Sequence, residues 1–577
     1  FLFLTIPETW LPDGLGINCL LHFVIGCTFG NIEYARIIKK SGKACTVLVG
    51  IAEQLAAIHN KPHTLVKVCD YLPGSYFYLC KILFNFWGDS IIEKLSKQQT
   101  PDVVCYSLGI CRVDDGQNYC HLFPEPKIGM ARATEKSRLK TKVQPFFHWS
   151  LVQSLSSPCD LPGIRRVCDS LNLFKKNLNP SVDLDKDKHS TIQVLRGSVW
   201  RGMDCNDFDD AVYPGRKPLK EDIETDSNCN GIYGIDTDSG YPYETSLCEG
   251  TDQRGIIYIG DSVGAHFHIP SEWITPAEIT PGIFEHISFI LANEFDWPHL
   301  SFATGYMDSN WPQARSKVDS LYWRLHTRNR CNHRDYQNLS FNGANSSTIL
   351  HCIKSISRSR TTDYPAIVFY ASMGNDVCLS YMESPADWIT KEKFKQNVVR
   401  TLEELDEILP KDSHVILVGL VNGSFIYPSM AHRIHPIGQL RGDVAYSDIY
   451  KWLNCMQIGP CFGWMNDNST WRNATTKKAQ ELTNVLQDLS LTYSAQSFKL
   501  YFLENPISKV IKTWEENGGE KWQLLEPVDS LHPAQEAQPL LTNILWEELE
   551  SRYPEVLGKE NLNNAKIEQL FGEQNGH

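Results

Sequence analysis

From about residue 250 onward, short apolar runs alternate with helical patterns, and few folds accept that order. Gly255–Ile259, Ala366–Tyr370, His414–Gly419 and Lys499–Phe502 have the length and apolar content of buried strands. Between two of them, Phe394, Val398, Leu402, Leu405 and Leu409 recur at helical spacing. The alternation predicts an α/β domain, a largely parallel sheet flanked by helices. An open sheet of this kind places its chemistry just past the carboxyl ends of its strands.

Two strand ends carry suitable groups. Gly255–Ile259 runs into Gly260-Asp261-Ser262, which sets a serine hydroxyl beyond the sheet. Ala366–Tyr370 runs toward Met373-Gly374-Asn375-Asp376, where the Asn375 amide can donate to a developing oxyanion. Gly305, in Ala303-Thr304-Gly305, offers a backbone N–H to the same hole. Further on stands Asp529-Ser530-Leu531-His532-Pro533. A serine hydroxyl is a weak nucleophile until a base takes its proton, and a carboxylate three residues before a histidine can orient the ring for that work. Each motif alone is commoner as a helix cap, a turn or a loop. Together, in the order Ser, Gly, Asn and Asp-x-x-His, they resemble the four blocks of the SGNH hydrolases.

Residues 183–244 are rich in Asp, Asn and Gly. Asp183, Asp185 and Asp187 alternate, Asp204, Asn206, Asp207 and Asp209 follow, and Asp226, Asn228 and Asn230 precede Gly231, with Glu244 beyond. Alternating hard oxygen ligands with a glycine at a tight turn suit Ca2+, so these residues are the candidate ligands of a structural calcium site. A solvated acidic loop is the plainer alternative. Cys205 and Cys229 are placed to staple the two loops together.

The chain of 577 residues is long enough for two or three domains. Its formal net charge of -13 argues against a nucleic-acid binder, and no run reaches the ~18–20 apolar residues that span a bilayer. The 18 cysteines and the N-glycosylation sequons at Asn338, Asn345, Asn422, Asn468 and Asn473 point to secretion, with lysosomes or other secretory vesicles as a further destination. Leu48, Ile51, Leu55 and Ile58 mark one apolar helix face, and Phe84, Trp87, Ile91 and Leu95 mark another. Short amphipathic helices among cysteines read as a disulfide-stapled module. From about Asp114 to Ser157, Lys127, Arg132, Lys136, Arg138, Lys140 and Lys142 occur without apolar periodicity, which predicts a loop open to proteases.

The stretches GDSVGAHFHI, NHRDYQN, YPAIV with GNDVC, SHVIL, WQLLEPVD with HP, and LGKEN resemble the acyloxyacyl hydrolase family, from roughly Cys45 onward. That resemblance implies an esterase removing secondary acyl chains from the lipid A of lipopolysaccharide. It implies Ser262, Asp529 and His532 as a triad, and Asn375, Gly305 and the Ser262 amide as the oxyanion hole. It also implies Ca2+ in the Asp-rich segment and a saposin-like module that meets membrane or micelle surfaces. Of the six saposin cysteine positions, Cys45, Cys69, Cys80, Cys105 and Cys111 fit five, and Gly42 stands at the other. Cys111 is left to Cys19, to Cys27 or to the thiol form. Proteolysis into two disulfide-linked subunits is implied as well, with Cys120 bridging to Cys455 or Cys461.

The expected organisation is an uncertain segment at 1–42, a saposin-like helical module at 43–112, a connector with a processing site at 113–165, the calcium segment at 166–250 and an SGNH-type hydrolase domain at 251–577. A general phospholipase or acyl esterase on the same scaffold is the first alternative, since one triad serves any acyl ester. A non-catalytic lipid-binding protein is the second, and the intact Ser262, Asn375 and His532 argue against it.

Overall fold

The computed structural model describes residues 45–58, 70, 88–111, 113, 116–139, 178–280, 282–307 and 318–577. The segment 1–42, Cys69, Cys80, Phe84, Trp87, Lys140 and Lys142 lie outside the described residues. The chain divides into two units. One holds the described parts of Phe1–Leu173 with Pro270–Phe295 and His432–Ile458, and the other holds Phe174–Ile269, Asp296–Ala431 and Gly459–His577. Residue 251 therefore bounds neither unit: the Asp-rich segment folds with the sheet, and two later segments fold with the N-terminal unit.

In the sheet unit, β1 (Gly255–Gly260), β2 (Tyr336–Asn338), β3 (Ala366–Ala371), β4 (Ser413–Val418) and β5 (Phe498–Leu503) are all parallel, in the order β2-β1-β3-β4-β5. Every residue of β1, β3 and β4 is buried, as strands covered on both faces require. Tyr258, Phe369 and Ile416 join a core with Leu541, Leu545 and Leu549 of helix Gln538–Arg552 and Val510 of helix Ile507–Glu516. Helix Ser469–Thr492 lies along β4 and β5. The predicted helix forms over Lys391–Ile408: Thr390 caps it by accepting from Lys393 N–H at 3.2 Å, and Phe394, Val398, Leu402 and Leu405 are buried, each worth about 1.5–3 kcal/mol. β1 pairs with β3 from Gly255 opposite Ala366 to Gly260 opposite Ala371. The two strands that carry the expected chemistry are thus neighbours and end level.

In the N-terminal unit, helices cover 45–58, 88–96, Pro101–Ser107 and Met130–Leu139. The first does not bury all of its predicted face: Ile51 and Leu55 are buried, whereas Leu48 and Ile58 are 46% and 42% exposed. Cys45 bonds to Cys105, so it is not linked to Cys111, which is buried with Sγ 4.0 Å from Thr46 Oγ1. The connector is not the continuous loop predicted. Met130 is buried beside Val103 and Tyr106, and Arg138 donates to Tyr106 O at 2.9 Å. Lys136 and Arg138 fall in the last turn of this helix, where cations meet the negative end of its dipole. Cys120 bonds to Cys455, and Cys461 to Cys378.

Cys205–Cys229 and Cys248–Cys331 add further cross-links, and disulfides of this number suit an oxidising compartment. Among the described residues no helix is long and apolar enough to cross a membrane. The sequon at Asn338 is buried and its Nδ2 donates to Gly264 O at 2.8 Å and to Thr304 Oγ1 at 3.0 Å, which bars a glycan there. Asn422, Asn468 and Asn473 are exposed.

Candidate active site

β1 delivers Asp261 and Ser262 at its carboxyl end. Asp261 caps the short helix Ser262–Ala265 by accepting from Val263 N–H at 3.1 Å, so Ser262 is the first helical residue and its hydroxyl is not consumed as the cap. Gly264 is required here, because a Cβ would come within 2.4 Å of the Tyr258 ring and 2.5 Å of Ser340 Oγ. Ser262 Oγ lies 2.7 Å from His532 Nε2. His532 Nδ1 faces Asp529 Oδ2 at hydrogen-bond contact. The other oxygen, Asp529 Oδ1, accepts from Leu531 N–H at 2.8 Å and His532 N–H at 3.1 Å. One carboxylate thus closes its own turn and holds the ring.

Burial works against a charged His532, but Asp529, with Asp261 and Glu526 nearby, outweighs it and holds the pKa above 6.5. Burial likewise works against an ionised Asp529, and His532 with the two backbone N–H groups overcomes it, leaving the carboxyl below 3.8. The arrangement suits a ring that takes a proton from Ser262 and stays charged while bond changes occur.

Asn375 reaches the same place from the end of β3. Its Nδ2 donates to Ala344 O at 2.9 Å and to Asp261 Oδ2 at 3.4 Å. Asp261 Oδ2 also accepts from Met373 N–H at 2.9 Å and Gly374 N–H at 3.3 Å. A single buried carboxylate therefore ties the serine turn to the Met373–Asn375 turn, a role that Asp261 was not assigned from sequence. Gly305 is not brought here. Its N–H donates to Ser301 O at 2.9 Å and its carbonyl accepts from Ser320 Oγ, so that amide is spent inside its own turn. The loop after β2, through Ala344, lies against Asn375 instead, with Gly343 at φ +78° beside it. The only sequence signal for it was an Asn-Gly pair after a run too short to show a period.

Ser262, His532 and Asn375 open onto a cleft of about 680 Å³, its open mouth included, walled by Met373, Val421, Phe425, Trp464, Ile507 and Leu531. The walls are apolar and suit an acyl chain. Behind the histidine, Glu526 is buried, its Oε2 is 2.7 Å from His268 Nδ1, and its N–H donates to His532 O at 2.8 Å. Burial raises the Glu526 pKa. The Phe267 ring packs 4.8 Å from His532.

The Asp-rich segment separates into two clusters. Asp183, Asp185 and Asp207, and Asp185, Asp187 and Asp204, form overlapping groups of carboxylate oxygens within 4.8 Å. Asp185 Oδ2, Asp187 Oδ2 and Asp204 Oδ2 are buried with no hydrogen-bond partner. Burial and mutual repulsion push Asp187 up to about 8 and Asp204 to about 6. Buried, orphaned carboxylate oxygens are what a hard cation would satisfy. In the second cluster, Glu244 accepts from Asn228 Nδ2 at 3.2 Å and Asn230 Nδ2 at 3.0 Å, and Asp226 accepts from Asn230 and Gly231 N–H. Asn206 and Asp209 are exposed, and Asp209, whose Oδ1 accepts from Ala211 N–H, joins neither group of carboxylates.

Residues 41–169 match the family model of the saposin-like domain. Over 537 residues the chain is 43% identical to the acyloxyacyl hydrolase of Homo sapiens, covering 92% of each chain. It is 43% identical to that of Mus musculus, covering 92% of this chain and 93% of the relative. Over 49 residues, 8% of this chain and 60% of the relative, it is 39% identical to saposin-C of Cavia porcellus.

Proposed function

Because the chain belongs to the acyloxyacyl hydrolase family, we propose that it is a secreted SGNH-type serine esterase that removes secondary, acyloxyacyl-linked fatty acyl chains from the lipid A of lipopolysaccharide. The observation that carries this reading is the hydrogen-bonded series Asp529–His532–Ser262 at the mouth of an apolar cleft. Ser262 Oγ attacks the ester carbonyl as His532 Nε2 takes its proton. The oxyanion is held by the Ser262 amide and by Asn375 Nδ2, whose hydrogen turns to it from Asp261 Oδ2, the longer of its two contacts at 3.4 Å. His532 returns the proton to the departing hydroxyl of the retained chain, and the acyl group stays on Ser262. Water, deprotonated by the same ring, then releases the fatty acid.

Two further parts complete the proposal. Ca2+ binds the Asp183–Asp207 carboxylates as a structural ion; Asp226, Asn228, Asn230 and Glu244 offer it a second oxygen-rich place. The saposin-like module approaches lipid aggregates, with the exposed Leu48 and Ile58 among its contacts. Cleavage in the connector leaves two subunits joined by Cys120–Cys455.

Mass spectrometry of lipopolysaccharide and of phospholipid after incubation with the purified protein and with Ser262→Ala tests the reading. Loss of secondary chains with the unaltered protein, and none with the variant, is expected. Release of primary chains or phospholipid acyl groups at the same rate would favour a general acyl esterase instead.

A further inference from the structure

The sheet unit holds a cluster of imidazoles that ester hydrolysis does not use. His326 lies on helix Leu321–Arg328, His333 in the turn entering β2, and His577 beyond helix Asn564–Phe571. Each ring offers one nitrogen, and the three nitrogens lie within 4.8 Å of one another. Ring centroids are 5.1 Å apart for His326 and His333, 5.2 Å for His326 and His577, and 4.5 Å for His333 and His577. A tetrahedral ion with metal–nitrogen bonds of about 2.0–2.1 Å fans three imidazoles to centroid separations of roughly 5 Å.

The hydrogen bonds around the rings fit ligation. His326 Nδ1 and His333 Nδ1 are buried with no hydrogen-bond partner, a condition that buried polar atoms rarely tolerate. His333 Nε2 meets Gly576 O at 2.9 Å. It must donate there, since a carbonyl only accepts, and Nδ1 is left with its lone pair. The Tyr322 hydroxyl meets His577 Nδ1 at 2.8 Å. Carbonyl and hydroxyl partners on the far side of a ring are what orient a ligating histidine.

We propose that His326, His333 and His577 bind one divalent transition-metal ion of the zinc class, with water as fourth ligand, and that the ion clips the tail to the segment entering β2. Three nitrogen donors without a carboxylate select such an ion over Ca2+. Arg334 donates to Gly576 O at 2.8 Å and to Asn575 O at 2.9 Å. This guanidinium holds the tail without metal, and its charge makes the site weaker than an uncharged three-histidine site. Metal binding is thereby separable from folding.

The test uses the full chain in millimolar Ca2+, which keeps the oxygen sites filled, titrated with Co2+ and then Zn2+. One equivalent of Co2+ should give the visible absorption of a tetrahedral nitrogen site, be displaced by Zn2+ and be removed by phenanthroline. His577→Ala should weaken binding by more than about 100-fold, because loss of a mere outer partner costs roughly 10–100-fold. Its circular dichroism and hydrolysis of a soluble ester should be unchanged. His326→Gln is the second variant and should lose the band as well. Absence of the band in the unaltered protein, or its persistence in both variants, overturns the proposal.

Discussion

Replacing Asp261 by Asn should separate activity from stability. The side chain is 2% exposed and accepts from Val263, Met373, Gly374 and Asn375. Burial nevertheless raises its pKa from 3.8 to about 6. The folded carboxyl therefore holds its proton more tightly than the unfolded one. The resulting penalty is absent below pH 3.8, grows as pH rises, and is complete above about pH 6, where it amounts to ~3 kcal/mol. Asparagine removes the charge and that penalty. It also offers one acceptor oxygen instead of two, which strands at least one buried N–H of Val263 or of the Met373–Gly374 pair at a cost of roughly 1–3 kcal/mol. The two effects nearly cancel, so Tm at pH 7 should move by no more than a few degrees. Activity has no such offset. The Met373–Asn375 turn loses its tie to the serine turn, although Asn375 Nδ2 keeps Ala344 O at 2.9 Å, and kcat on a short soluble ester should fall, with the ~10²–10³-fold loss of a missing oxyanion donor as the limit and KM little changed. Unaltered kcat at an intact Tm would refute the positioning role, and a collapsed Tm would refute the cancellation.

Three other outcomes are expected. The His532 pKa is held above 6.5, chiefly by Asp529 against burial, and the neutral ring is the base. The acid limb of kcat/KM should therefore lie above pH 6.5, and Asp529→Asn should move whatever activity remains to a lower limb; a limb that stays put would remove Asp529 from that role. The same raised pKa stabilises the fold fully below pH 6.5, and the contribution fades as pH climbs through the folded value. A chelator should lower Tm in the unaltered protein, and Asp185→Asn should blunt that response, because an ion bound only by the folded state stabilises by mass action; a chelator-insensitive Tm would count against calcium. After cleavage in the connector, non-reducing electrophoresis should show one species for the unaltered protein and two for Cys455→Ser, and a single band in both would dismiss the Cys120–Cys455 tether.

What the sequence determined by itself was whatever depends on near neighbours. Apolar runs announced four strands: β1, β3 and β4 are buried at every residue, whereas β5, at the sheet edge, leaves Lys499 exposed. Asp529 and His532 could be paired from their spacing alone, since three residues of chain keep them within reach. Carboxylates at alternate positions announced the Asp183–Asp187 loop for the same reason. β2 gave no such signal, because three residues cannot establish a period. Leu48 and Ile58 shared a helix face with Ile51 and Leu55, yet only the packing around them decided which were covered. Tertiary structure alone brought Ser262 to His532 across 270 residues, and it chose Cys455 over Cys461 as the partner of Cys120. It also disqualified Gly305, because whether an amide is free for an oxyanion depends on which carbonyl already holds it. Asp261 could be read as a strand-end residue, but not as the carboxylate binding two turns together, since its Oδ2 is filled by N–H groups more than a hundred residues away. Hydrogen-bond occupancy and burial are properties of the packed chain, and they set which of the legible residues can act.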